Sequence, residues 1–202
     1  MSPSRPPVRH LVRWASPAHA DRWLGQLLAA VPWKQEHITV FGRRHPMPRL
    51  SCWMADPGCE YRYSDLQNVI EPWTPVAQEI RARLLEELGC PFNSLLLNLY
   101  RDGRDSMGWH ADDEAELDHA APIASLSLGA ARTFRMRARR ASHAPKLAWE
   151  LGHGDLLVMD PPTQRDWQHE LPRRLRVEGP RVNLTFRVVR PQAGNTARVA
   201  SP

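Results

Sequence analysis

The chain has 202 residues, with 27 Lys and Arg against 22 Asp and Glu, a net charge of +5 and a pI near 9.6. That length suits one domain with a substantial core, and the positive balance suits a polyanionic partner rather than an acidic, solvating chain. No apolar run approaches a membrane span and the N-terminus lacks a signal-type apolar core. Cys52, Cys59 and Cys90 are odd in number and lack CxxC or zinc spacing, so a reducing, cytoplasmic setting is expected.

Residues 1–9 are rich in Pro and Arg and are expected to be disordered, as are residues 191–202, leaving a single domain over 10–190. Ser16-Pro17 reads as an N-cap with proline at the first helical position, followed by an apolar stripe of Leu24, Leu27, Leu28 and Val31. Val40-Phe41-Gly42 follows, flanked by Arg43, Arg44 and His45. An apolar group beside basic ones has the composition of a wedge in a base stack, or else of a buried strand. Tyr61 and Tyr63 alternate in a strand-like segment. Thr74-Pro75 repeats the helix start, and Val76, Ile80, Leu84 and Leu88 form a second stripe until Gly89 ends it.

From Phe92 onward the pattern is strand-like, with turns at Asp102-Gly103, Gly129 and Gly152 to Gly154. Helices first and many short strands afterwards suggest an α+β arrangement, with helices backing a β-sandwich. Within Leu95–Tyr100, alternation puts Asn98 and Tyr100 together, opposite Leu97 and Leu99.

Three His-x-Asp pairs occur. His19-Ala-Asp21 falls in a helix, where residues two apart diverge and do not chelate. His153-Gly-Asp155 reads as a tight turn whose Asp satisfies local N–H groups. His110-Ala-Asp112, with His169 further on, offers the two histidines and one carboxylate of a non-heme iron site. Arg181, Asn183, Thr185 and Arg187 share one face of the last strand, and Val182, Leu184, Phe186 and Val188 the other. Arginine forks match carboxylates, so that polar row suits a small acid with a carboxylate at each end; a solvent-facing row of an exposed sheet is the alternative. Arg181 and Arg187 are about 20 Å apart at ~3.3 Å per residue, longer than such an acid, so long side chains must reach inward.

Asn98-Leu-Tyr100, Gly108-Trp-His110-Ala-Asp112-Asp113-Glu114, Pro122-Ile-Ala-Ser-Leu-Ser-Leu-Gly129, His169 and Pro180-Arg-Val-Asn-Leu-Thr-Phe-Arg187, in that order, resemble the AlkB family of Fe(II)- and 2-oxoglutarate-dependent dioxygenases. The likeness runs from about Val40 to Val189. Val40-Phe41-Gly42 with Pro48-Arg49 is similar to the branch that repairs duplex DNA.

The resemblance implies a double-stranded β-helix, or jelly roll, with the N-terminal helices packed on the sheet and a nucleotide-recognition lid over about 35–65. It implies Fe(II) on His110, Asp112 and His169. It also implies 2-oxoglutarate on Asn98, Tyr100, Arg181 and Arg187, with Asn183 and Thr185 shaping that pocket, and O2 as the other co-substrate. Arg187 and Asn98 would meet the C1 carboxylate, and Arg181 and Tyr100 the C5 carboxylate. Tyr63 would stack on a flipped base, Asp113 and Glu114 would read its edge, and Phe41 would fill the gap it leaves.

The implied reaction is oxidative demethylation of N-alkylated bases, of the 1-methyladenine and 3-methylcytosine type, with formaldehyde, succinate and CO2 released. The partner would be duplex or single-stranded DNA, with RNA a further candidate, and the chain a monomer. Alternatives are an oxygenase of the same fold acting on RNA, protein or a small molecule, and a binding module without catalysis. Where relatives often carry Tyr-Gly after the Pro-Arg element, this chain has Cys52-Trp53-Met54, which the resemblance places near the lid.

Overall fold

The computed structural model describes residues 5–40, 42–59, 62–63, 66–67, 70–140 and 146–190. In chain order the first half forms β1 (Val8–Leu11), α1 (Pro17–Ala30), β2 (His37–Val40), β3 (Arg43–Pro46), β4 (Leu50–Ala55), β5 (Arg62–Tyr63), β6 (Leu66–Gln67) and α2 (Pro75–Leu88). The second half forms β7 (Ser94–Tyr100), β8 (Met107–His110), β9 (Ile123–Gly129), β10 (Arg132–Ala138), β11 (Leu147–Leu151), β12 (Asp155–Met159), the short α3 (Thr163–Asp166), β13 (Trp167–Leu171) and β14 (Arg181–Arg187). A six-stranded antiparallel sheet, β1-β12-β9-β14-β7-β4, faces a four-stranded one, β11-β10-β13-β8. Strands of the larger sheet are joined through strands of the smaller, as in the expected jelly roll.

Both long helices start and pack for local reasons. The Ser16 hydroxyl accepts from the His19 amide and the Thr74 hydroxyl from the Ala77 amide, each with proline next in line. Gly89 ends α2 in the left-handed region, φ 64°. The buried line of α2 is Val76, Ala77, Ile80 and Leu84, much as its stripe suggests. In α1 the stripe is rotated. Ala20, Trp23 and Leu27 are buried while Leu28 is exposed. Trp23 occupies the centre of the face, so the contact line follows it rather than the leucines. Both helices cover the outer face of the larger sheet, where Val182, Leu184 and Phe186 of β14 join Leu95, Leu97, Leu126 and Leu156. Each fully buried side chain of this size contributes roughly 1.5–3 kcal/mol.

The space between the sheets is divided. At one end Ile123, Leu157 and Met159 of the larger sheet meet Phe134, Met136, Leu151 and Trp167 of the smaller in an apolar cluster. At the other end the inner row is polar: Arg181, Asn183, Thr185 and Arg187 of β14, Asn98 and Tyr100 of β7, and Ser125 and Ser127 of β9, all buried. The solvent-facing alternative for the arginine row therefore falls. Every residue of β14 is buried, because the strand is central in its sheet with helices on one side and a second sheet on the other.

Two boundaries differ from expectation. Val8 and Arg9, placed in a disordered terminus on composition, are the first rungs of β1 and pair with Met159 and Val158. Their proline-rich approach does not prevent edge pairing. The stretch 35–65 is not one lid: β2 and β3 form a separate hairpin, whereas β4 is the edge strand of the larger sheet, paired with β7. Cys52, Trp53 and Met54 are accordingly buried core residues of β4 and not part of a lid. Residues 191–202, Tyr61 and Phe41 lie outside the described residues. All three cysteines are free and buried, and no described helix is long and apolar enough to cross a membrane.

Candidate active site and metal centre

His110 closes β8 and His169 sits directly opposite it on β13. Paired positions on adjacent strands project the same way, so the imidazoles meet with ring centroids 4.1 Å apart. Beyond His110 the chain leaves the strand, and Asp112 is held from α3, where Gln164 Oε1 accepts from its backbone N–H at 3.0 Å. The Asp112 Oδ1 lies 3.5 Å from His110 Nε2. One ligand atom from each of His110, Asp112 and His169 falls within 4.8 Å of the others.

Their protonation suits a cation. The Nδ1 of His110 is 2.9 Å from the Gly108 carbonyl, which leaves Nε2 for a ligand bond. His169 is buried, stacked on Phe134 at 5.2 Å, and among the described residues its Nδ1 has no hydrogen-bond partner. Burial pushes its pKa down to about 3, so the ring is neutral. Burial works to raise the Asp112 carboxyl, but Arg187, helped by His110 and His169, outweighs it and holds the group well below the usual carboxylate range. Arg187 Nη2 lies 2.6 Å from Asp112 Oδ2, with both side chains nearly inaccessible (3% and 2%). A buried, uncommitted imidazole beside an ionised carboxylate and a second imidazole is a donor set that fits Fe(II).

The co-substrate row is organised by hydrogen bonds. Arg181 Nη2 donates to Ser127 Oγ and Asn183 Oδ1, each at 2.7 Å. Asn183 Nδ2 donates to Thr185 Oγ1 at 2.7 Å, and Ser125 Oγ donates to Asn183 Oδ1 at 3.1 Å. The Tyr100 ring lies under the Arg181 guanidinium at 5.4 Å. Asn98 is fixed by Arg49, whose Nε donates to Asn98 Oδ1 at 2.9 Å, so the Asn98 amide NH2 remains as donor. Asn98, Tyr100, Ser125, Arg181, Asn183 and Thr185 line one narrow cavity of about 40 Å³ together with the triad and Arg187, while Arg49 and Ser127 brace it from behind. It continues the metal centre along β14, a shape and donor set suited to a dicarboxylate. A larger cavity of about 350 Å³ adjoins it, sharing Asp112, Met159 and Arg187, with Asp113, His119 and Arg139 in its wall.

The placement of the other candidates is mixed. Arg187, expected beside a small acid, is joined to the metal-side carboxylate, so it links the two halves of the site. Asp113 pairs with Arg139 near the surface and Glu114 is half-buried just beyond it. Tyr63 lies on β5, but its side chain falls outside what is described, and Phe41 does so entirely. His153 and Asp155 are engaged elsewhere. His153 accepts from the Gly129 amide at 2.8 Å and approaches Asp21 at 3.1 Å, while Asp155 accepts from the backbone amides of Arg13 and Gly152.

Four contributors are not singled out by the residues alone. Ser125 and Ser127 repeat with period two in β9, a signal that could mark them. Arg49 stands in the sequence only as part of a motif, and Gln164 carries no sequence signal.

The sequence matches the 2OG-Fe(II) oxygenase superfamily over residues 7–187. The chain belongs to that superfamily. Within it the chain sits with the AlkB proteins. It is 44% identical over 162 residues to mouse DNA oxidative demethylase ALKBH2, covering 76% of this chain and 67% of that one. It is 41% identical over 187 residues to mouse alpha-ketoglutarate-dependent dioxygenase alkB homolog 3, covering 89% and 65%. The chain thus spans about two thirds of the length of these relatives. The fold is also that of OsALKBH1, with a TM-score of 0.56 at 15% identity, covering 91% of this chain and 97% of that one. As a member of the superfamily, this 2-oxoglutarate- and Fe(II)-dependent oxygenase uses the cofactors that its donor set fits.

Proposed function

We propose that the protein is an oxidative demethylase that removes N-alkyl groups from bases in DNA. The observation that carries this reading is the continuity of the site: triad, Arg187 and the polar row of β14 line one buried cavity in a chain 44% identical to a protein named a DNA oxidative demethylase. When bound, Fe(II) with 2-oxoglutarate and O2 supplies the oxidant that hydroxylates an N-methyl group, which leaves as formaldehyde while succinate and CO2 form.

The chain's own residues bind and orient. His110, Asp112 and His169 would hold the metal, and Arg187 keeps Asp112 ionised as a ligand. Asn98, fixed by Arg49, would meet the inner carboxylate of 2-oxoglutarate, with Arg181 and Tyr100 at the distal one. Asn183 and Thr185 hold Arg181 in place through the hydrogen-bond chain of β14. The apolar end of the sandwich closes the other side and limits water access.

For the base, Tyr63, Asp113 and Glu114 are our candidates, the last two because they follow the metal carboxylate directly. The β2–β3 hairpin displays exposed Arg43, Arg44 and His45, a group suited to phosphate contacts. It supports a nucleic-acid partner, and with Phe41 two residues ahead of Arg43 in the sequence we favour duplex DNA. An intact triad favours an enzyme over a silent binding module.

The test is succinate formation with and without oligonucleotides carrying 1-methyladenine or 3-methylcytosine. Strong stimulation, with formaldehyde released in step, is the expected result. Uncoupled turnover that methylated DNA leaves unchanged would reject the DNA reading and favour another substrate.

A further inference from the structure

Arg181 is not the only buried cation on Tyr100. Arg132 opens β10 in the facing sheet, is 1% exposed, and places its guanidinium carbon 5.7 Å from the Tyr100 ring centroid, against 5.4 Å for Arg181. The described hydrogen bonds of Arg132 go only to main-chain carbonyls. Nη1 donates to Asp102 O at 3.1 Å, and Nη2 donates to Asp105 O and Pro172 O, both at 2.8 Å. These tie the β7–β8 loop to the segment after β13.

Carbonyls satisfy donors but do not neutralise a charge. The nearby Asp105 carboxylate is engaged by Arg101, with Nε at 2.7 Å and Nη2 at 2.8 Å. Among the described residues, then, two buried guanidiniums flank one phenol and neither is hydrogen-bonded to a carboxylate. The Nε of each is buried without a partner.

Asp105 and Asp102 offset part of the Arg132 charge from a distance, but two buried guanidiniums with no directly bonded carboxylate still favour the arrival of an anion. Arg132 does not itself line the cavity, whereas Tyr100 and Arg181 do. Its influence on a ligand must pass through them.

We propose that Arg132 is a positioning residue for the distal carboxylate of the 2-oxo acid. It holds Tyr100 beside Arg181 and adds a second positive charge behind the pocket. The site thereby selects a 2-oxo acid ending in a carboxylate over one of equal length ending in a methyl group. This rests on 2-oxoglutarate occupying the polar row of β14. A guanidinium is suited to the task because its planar fork reaches three carbonyls while remaining charged.

The experiment is anaerobic calorimetric titration of the full chain, loaded with Mn(II), with 2-oxoglutarate and with 2-oxovalerate. The ratio of the two Kd values measures selectivity at the distal end, and only folded molecules contribute to it. In Arg132→Met the ratio should fall about ten-fold or more, with 2-oxovalerate affinity held within about two-fold. In Arg132→Lys, which keeps the charge but cannot span three carbonyls, the fall should be smaller, about three-fold. The lysine variant carries the test if the methionine variant does not fold.

Equal weakening of both ligands, or a ratio unchanged from wild type, would show that Arg132 only braces the fold and would overturn the proposal. A wild-type protein that failed to prefer 2-oxoglutarate would overturn the placement of that acid on β14, and the role of Arg132 with it. The wild-type and variant arms thus separate the two failures.

Discussion

His110-Ala-Asp112 and His153-Gly-Asp155 share a pattern and part company in the fold. At the second pair each group has another partner: His153 bridges the Gly129 amide and Asp21, and Asp155 gathers the amides of Arg13 and Gly152 with His10 Nε2 at 3.0 Å. At the first pair, the ring and carboxylate converge on a third residue, His169, from the opposing strand. Among the described residues, the one cation that contacts Asp112 leaves Oδ1 facing His110. A His-x-Asp pair becomes a metal site through convergent donors left uncommitted. The same residues with every donor and acceptor engaged make a turn.

The sharpest way to break this contrast is to remove each pair. His110→Ala or Asp112→Ala should reduce Fe(II)-dependent succinate formation to background and abolish tight metal binding, while His153→Ala and Asp155→Ala retain both. Loss of metal from either of the latter variants alone would reverse the assignment.

Arg187→Ala tests what distinguishes Asp112. It leaves a buried carboxylate without its cation, so the apo protein should lose about 3–5 kcal/mol of stability. Metal should restore part of that, since a bound cation takes over the compensation. Denaturant unfolding with and without Mn(II) reads both quantities. A loss that metal does not reduce would mean that Asp112 does not face the ion.

Asp155→Asn tests the structural pair. Burial works to raise this carboxyl, but the Arg13 and Gly152 amides and His10 prevail and hold it below its ordinary value. Its contribution is therefore present above the unfolded carboxylate range near ~4 and is lost as the pH falls through the lower folded value. The variant should lose about 1–2 kcal/mol at neutral pH and show a flatter acid limb in a stability profile, with metal affinity unchanged. An unaltered acid limb would remove Asp155 from the linkage.

The smallest expected effect concerns the hairpin outside the metal region. Phe41→Ala should reduce repair of methylated duplex about ten-fold relative to single strand, with little change in Tm, if that side chain holds a stack open. Equal loss on both substrates with a lowered Tm would place it in the core and remove the main support for a duplex preference.

Much of the molecule is legible in the sequence. Helix starts at Ser16 and Thr74, the stop at Gly89, and the alternation in β7 and β14 depend on neighbours one to four residues away, and local sequence encodes these directly. Short-range alternation also put Arg181, Asn183, Thr185 and Arg187 on one face, and the motif order pointed to the family.

What lay beyond reach depends on elements far apart in the chain. That the arginine row is buried follows from β14 being central between β9 and β7, with a second sheet across from it. That Trp23 rather than Leu28 centres the α1 face follows from what the sheet presents. That Cys52-Trp53-Met54 is core and not lid follows from the pairing of β4 with β7. Arg132 on Tyr100, Arg49 on Asn98 and Arg187 on Asp112 join residues 32 to 75 positions apart, and nothing in their own surroundings announces the contact. The sequence by itself determined the local elements and the chemical groups available. The tertiary structure alone decided which of those groups are desolvated together, because burial and convergence belong to packed sheets and not to the segments that form them.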